Sequence, residues 1–293
     1  METVPRTLYK YVTPERVDIL KNLKIRFTQP FALNDPFEFN LSFQEIISEK
    51  ELFDKVSTLD PDLMIRQTLE KLSEPEQAAL KNMPPEFHEF LIAKVQQLTS
   101  LENIKKINNE YIRPHTDRIK SEISLGLNKH IGILSLSSNC SIPPMWANYA
   151  DNSKGFIIGF DTTNQFFNRR RSESDELYHL RKVVYEDTQP LGSVSEVKKD
   201  ILIQKNKSWE YENEWRMLLP LSAANAEIST PAGDNVFLFD LPANAISQII
   251  FGLNTEDSTI SEVTKAISEI APNPHVKLSR ATKGAIGLEI VEL

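Results

Sequence analysis

Two carboxylates and a guanidinium alternate at Glu212, Glu214 and Arg216, inside the run KSWEYENEWRMLLP at 207–220. If this run is a strand, its two-residue period puts all three on one face and Asn213, Trp215 and Met217 on the other. Carboxylates spaced this way stand roughly 6–7 Å apart along the strand. One can then orient or deprotonate an acceptor while the other steadies a developing cation. The competing reading is a solvated acidic face with Arg216 closing an ion pair, an arrangement worth little.

Other groups could complete such a site. Ser135 and Ser137 share a face of the strand-like LSLSSN, with Ser138 just after it, and their hydroxyls could orient a ribose or phosphate. The plain alternative is hydroxyls bonded to local backbone. Trp146 and Tyr149 lie three apart in a short helical segment and could wall a planar ligand, or pack inward. Tyr9 and Tyr11 share one face of a first strand with Lys10 opposite, lining a cleft or joining the core. The five His (88, 115, 130, 179 and 275) are scattered, with no second ligand at metal-binding spacing. Cys140 has no evident His partner and reads as inert. Arg169–Arg171 read as a solvated loop.

Composition narrows the classes. The 293 residues allow one large domain, alone or with a sizeable insertion. With 40% hydrophobic and 25% charged residues, the chain has the make-up of a soluble globular protein. A formal net charge of −8 argues against a general phosphate-backbone binder. One cysteine excludes an internal disulfide. No apolar run is long enough for a membrane span, so no membrane partner is expected. The start, METVPRTLYKYV, lacks an apolar signal core, so a cytoplasmic protein is expected. No dinucleotide or phosphate-loop glycine fingerprint occurs.

The elements that must position these residues follow from pattern. Strands are expected at 7–12, 24–28, 131–137, 155–161, 182–186, 235–242 and 248–254, in VKLSRAT and in GLEIVEL. Thr13-Pro14 starts a helix, and Asn34-Asp35-Pro36 marks a turn. Between about 44 and 130 the pattern turns helical, with breaks at Pro61, Pro75, Pro84-Pro85 and Pro114. Phe87, Phe90, Leu91 and Val95 form one amphipathic face there. Further helices are expected at 193–210, 243–247 and 257–270, and a loop at 222–235. The fold class is therefore α+β: a mixed, largely antiparallel sheet in a single domain (1–293), with a helical insertion at about 44–130.

Four pieces occur in order: LYKY (8–11), FALNDPFE (31–38), SLSS (135–138) followed by MWxxYADxxxGF (145–156), and WxYExEWR (209–216). This ordered set, from about residue 8 to 220, resembles the bacterial domain-of-unknown-function family 2971, a resemblance that implies no activity. A looser resemblance is to ADP-ribosyltransferases, which carry a basic or aromatic residue on a first strand, a Ser-x-Ser strand and a late Glu-x-Glu. It implies NAD as cofactor and substrate, with Lys10 or Tyr11 in the first place, Ser135 and Ser137 in the second, and Glu212 and Glu214 in the third. Glu214 would bond the ribose hydroxyl and steady the oxocarbenium-like state. Glu212 would handle the acceptor, Ser137 would hold the ribose, and Tyr11, Trp146 or Tyr149 would stack the nicotinamide. The implied function is an ADP-ribosyltransferase or NAD-cleaving enzyme, a toxin or phage-defence effector acting on a protein or nucleic-acid acceptor. The alternative is a non-catalytic nucleotide-sensing or protein-interaction module. The enzyme reading needs Glu214, Glu212, Ser137 and a first-strand residue in one open cleft. A Glu214 far from Ser137, or with its carboxylate tied up by a buried Arg, sinks it.

Overall fold

Alternation in TLYKYV yields strand β1 (Thr7–Val12), and the expected first helix becomes a 3-10 turn (Pro14–Val17) running into α1 (Asp18–Asn22). The computed structural model describes residues 3–35, 38, 47–81, 83–187, 199–230, 235–270 and 276–293. Strand β2 (Lys24–Phe27) precedes helices α2 (Glu49–Ser57), α3 (Pro61–Leu69), α4 (Glu74–Lys81), α5 (Pro85–Leu98), α6 (Leu101–Ile107) and α7 (Thr116–His130). Then come β3 (Ile131–Ser137), α8 (Pro143–Tyr149), β4 (Phe156–Asp161), β5 (Leu180–Lys182), β6 (Val184–Glu186), β7 (Gln204–Asn206) and β8 (Glu214–Pro220). The chain closes with β9 (Ala226–Ser229), β10 (Asn235–Asp240), β11 (Ile246–Phe251), α9 (Asp257–Ile270), β12 (Lys277–Lys283) and β13 (Leu288–Glu292). The fold is α+β.

Contacts divide the chain into two units. One comprises 1–40, 124–188 and 199–293; the other comprises 41–123 and 189–198. In the first, eight strands form one sheet in the order β13-β12-β11-β4-β1-β3-β8-β5. All neighbours are antiparallel except β11 and β12, which are parallel and joined through α9. Smaller sheets, β2-β10-β9 and β6-β7, accompany it. Both faces of the main sheet are covered. Leu8, Val12, Phe156, Ile158, Phe160, Leu134, Leu136, Trp215 and Met217 pack on one side, and Tyr11, Met145, Trp146, Ile157 and Ile250 on the other. Burial on both faces is why FIIGF in β4 is continuously apolar.

The sheet opens between β1 and β3. Strand β1 pairs with β4 along all six of its residues, but with β3 only at Tyr9↔Ser137. Further along, β3 exchanges bonds with Thr28 instead: Thr28 N–H donates to Ile133 O at 2.8 Å, and Ile133 N–H to Thr28 O at 2.9 Å. The Ser135 carbonyl faces the opening, where Lys10 Nζ lies 3.4 Å away.

The second unit is helical. Ser48 and Glu51 form a capping box on α2, and prolines open α3 and α5 at their first positions. The expected amphipathic face of α5 is partly covered: Phe87, Leu91 and Val95 are half-buried, while Phe90 is 53% exposed.

Several expectations change. The strand at 182–186 is split into β5 and β6, which belong to different sheets, and the helix at 243–247 is a 3-10 turn (Ala243–Ala245) leading into β11. The helix at 193–210 is, over the described 199–210, two 3-10 turns flanking β7; 193–198 lie outside the described residues. The loop at 222–235 contains β9, with 231–234 outside the described residues. The run 207–220 is a 3-10 turn (Lys207–Glu212) followed by β8, so Glu212 does not lie on the strand.

Candidate active site

Between the 3-10 turn and β8, Asn213 adopts the left-handed region at φ 47°. This residue type tolerates that region. Its carbonyl accepts from the Ser138 N–H at 3.1 Å, which ties the reversal to the end of β3. The two-residue period is therefore broken at Asn213, yet both carboxylates reach the same place. Lys205 Nζ, from β7, bonds Glu212 Oε2 at 2.6 Å and Glu214 Oε2 at 3.1 Å.

Across β1, β3 and β8, register aligns Tyr9 with Ser137 and Ser137 with Glu214, and then Ser135 with Arg216. These side chains share one face. They line a cavity of about 240 Å³ with Glu38, Lys205, Glu212 and Tyr149. The cavity belongs wholly to the first unit.

Arg216 is fully buried and organises the floor. It grips Glu214 with two bonds, Nε to Oε1 at 2.7 Å and Nη2 to Oε2 at 3.0 Å. It also donates to the Leu202 carbonyl at 3.1 Å and, through Nη2, to Glu38 Oε1. Lys205 stands 3.7 Å from the same Glu38 oxygen and lies over the Trp209 ring at 5.0 Å. Burial alone would raise the Glu214 pKa, but the Arg216 and Lys205 charges outweigh it and hold the carboxyl at about 2. Burial raises Glu38, and its two cations do not fully offset the cost. Burial also opposes the charge on Lys205, yet the surrounding carboxylates raise it overall.

Tyr149 links this floor to the wall. Its hydroxyl donates to Glu212 Oε1 at 2.6 Å and accepts from Asn34 Nδ2. Burial, then the Glu212 charge, pushes its pKa up, so it acts as a proton donor in a hydrogen bond. Burial lowers Lys10 to about 8. Tyr9 is pushed up to about 12 by burial, with Cys140 adding to the shift. Burial likewise raises the Cys140 thiol, in keeping with an inert cysteine.

Most of the residues expected from sequence do meet here, with altered roles. Glu214, expected to be the catalytic carboxylate, has both oxygens spent on buried cations, the arrangement that sinks an enzyme reading resting on Glu214. Ser137 does not reach out to a ligand: its hydroxyl donates to the Glu212 carbonyl at 2.7 Å and the Asn139 carbonyl at 3.0 Å. Ser135 lines the cavity in register with Arg216. Trp146 is fully buried, with Nε1 donating to the Cys140 carbonyl at 2.9 Å, so it is core and not a stacking wall. Tyr11 packs edge-on against it at 5.3 Å, its hydroxyl held by the Asn139 carbonyl at 2.9 Å. Lys10 serves the Ser135 carbonyl at the opening of the sheet.

Glu38, Lys205 and Asn34 were not singled out as site residues. Asn34 and Glu38 sit in the FALNDPFE segment, where the turn signal was legible; Glu38 N–H donates to the Asp35 carbonyl at 3.1 Å. Nothing in the spacing of QKNK distinguishes Lys205. Among the described residues no group of three or more His, Cys, Asp or Glu could hold a metal ion; His275 lies outside them. No helix among them is long and apolar enough to cross a membrane.

Residues 145–217 match the family described as Protein of unknown function (DUF2971). That span carries Tyr149, Lys205, Glu212, Glu214 and Arg216, but not the β1, Glu38 and β3 contributions. No curated protein and no solved structure matches the chain.

Proposed function

We propose that the cavity binds NAD and that the chain cleaves its nicotinamide–ribose bond, with Glu212 in place of Glu214 as the acting carboxylate. The observation that supports this is the adjacency of β1, β3 and β8, which gathers Tyr9, Ser135, Ser137, Glu212 and Glu214 around one cavity. Cleavage sends the C1′–N electron pair out with nicotinamide and leaves positive charge on the ribose. An acidic floor favours that charge. Glu212 takes the proton of the attacking water or acceptor hydroxyl, and Tyr149 holds its carboxylate in position. ADP-ribose is released or transferred, as in ADP-ribosyltransferases, and a toxin or defence effector is the setting such chemistry suits.

The locked Glu214 favours a second reading, a nucleotide-sensing module that binds without turnover. Incubation with NAD and mass-spectrometric detection of free nicotinamide separates the two. Release that drops at least a hundredfold in Glu212→Gln supports cleavage. Saturable NAD binding without release removes it in favour of sensing. No binding removes both.

A further inference from the structure

Among the three carboxylates of the floor, acceptor capacity is unevenly used. Glu214 receives bonds on both oxygens, and so does Glu212, from Tyr149 on Oε1 and Lys205 on Oε2. Glu38 receives them only on Oε1. Its Oε2 is buried and has no hydrogen-bond partner among the described residues. The Glu38 side chain is 1% exposed and lines the cavity. A buried carboxylate oxygen without a donor costs free energy that a donor arriving with a ligand would recover.

We infer that Glu38 is the ligand-recognising carboxylate of the cavity, its Oε2 accepting a hydrogen bond from a hydroxyl of a ribosyl group. The inference rests on the reading of the cavity as an NAD site and names the group that reads the sugar. A neutral donor is the suitable partner, because Arg216 and Lys205 already supply the positive charge at Oε1. A hydroxyl fills the vacant lone pair without adding another buried charge. The position also has the right company. Arg216 fixes the carboxylate from behind, and Asn34, four residues earlier in the same segment, holds Tyr149 at the opposite acid.

The test uses ADP-ribose, which has no bond to nicotinamide, and analogues whose terminal ribose lacks the 2- or the 3-hydroxyl, all by calorimetric titration. The wild-type protein is expected to bind ADP-ribose and to lose about tenfold or more in affinity for one analogue. Glu38→Gln keeps a carbonyl for Arg216 and presents an amide donor where the vacant acceptor was. It is expected to bind ADP-ribose and that analogue equally. No ADP-ribose binding by the wild type overturns the inference, as does hydroxyl discrimination that survives in Glu38→Gln. Should that variant not fold, a crystal structure of the wild type with ADP-ribose decides. A terminal-ribose hydroxyl within hydrogen-bond distance of Glu38 Oε2 supports the inference, and any other pose overturns it. Glu38-dependent discrimination without nicotinamide release keeps the inference and removes cleavage. Nicotinamide release with discrimination unchanged in Glu38→Gln does the reverse.

Discussion

Arg216 carries a full charge while wholly buried, and it is tolerated because Glu214 and Glu38 stand against it. Such a buried pair need not stabilise the fold more than apolar residues of the same shape would. Removing one member is another matter, because the remaining charge is stranded. Glu214→Gln is therefore expected to lower unfolding free energy by about 3–5 kcal/mol in urea denaturation. A loss under about 1 kcal/mol would mean that Lys205 and Glu38 rearrange to cover the gap. This effect on stability is separate from any effect on turnover. It is why Glu212 and Glu38, and not Glu214, are the informative positions for activity.

At the scale of elements, the segment MWANYADNSKGF shows why a motif can be dense in recognisable residues and still contribute one polar side chain to the cavity. Met145, Trp146 and Ala150 are core. Asp151, Asn152 and Ser153 then run consecutively through positive φ, at 46°, 52° and 66°, and turn the chain from α8 into β4. Gly155 follows where a Cβ would lie 2.0 Å from the Val12 carbonyl oxygen. Of this segment, Tyr149 and the edge of Met145 line the ligand space, and only Tyr149 brings a polar group to it. Gly155→Ala is expected to cost about 1–3 kcal/mol or more, by forcing β1 and β4 apart. Gly287→Ala, with nothing within 4 Å of the added carbon, should stay within about 0.5 kcal/mol. Paired thermal melts check both, and equal melting temperatures would refute the close-approach argument. The strands were legible because alternation and burial speak directly through residue type. The 3-10 turn at 207–212 was not, since the aromatic and charged residues there fit a strand equally well and only the Asn213 backbone breaks the period. Glu38 and Lys205 were invisible as site residues because each depends on partners far away in sequence. The sequence leaves Trp146 open between wall and core because an aromatic pair at helical spacing carries no information about which side is covered.

For the whole molecule, the cluster sets how stability follows pH. Glu214, at about 2 in the fold against 4.5 as an ordinary glutamate, contributes stability that is fully present above about pH 4.5 and is lost as pH falls toward 2. Glu38 has the opposite sign. Its pKa is raised above 4.5, so its contribution is greatest below that value and declines as pH rises through its folded pKa. The two together predict a stability maximum in mild acid, with a steep fall below about pH 4.5. Urea midpoints measured from pH 3 to 8 should trace that shape, roughly over the span that acid linkage covers. Glu38→Gln should flatten the limb above the maximum and leave the acid limb in place. An unchanged upper limb would show that Glu38 is not the group responsible.

The near-absence of direct pairing between β1 and β3 has a further consequence, for the order of assembly. Tyr9 meets Ser137, Thr7 meets Asp161, and Glu38 meets Arg216 across 178 positions. None of these contacts can reward the chain until very long loops have closed. A ribosome must therefore deliver more than half of the polypeptide, through β4, before the first strand has both of its neighbours. Until β4 arrives β1 is an unpaired edge, and a nascent or truncated chain that ends after β4 but before β8 has a paired β1 yet neither Arg216 nor the floor it organises.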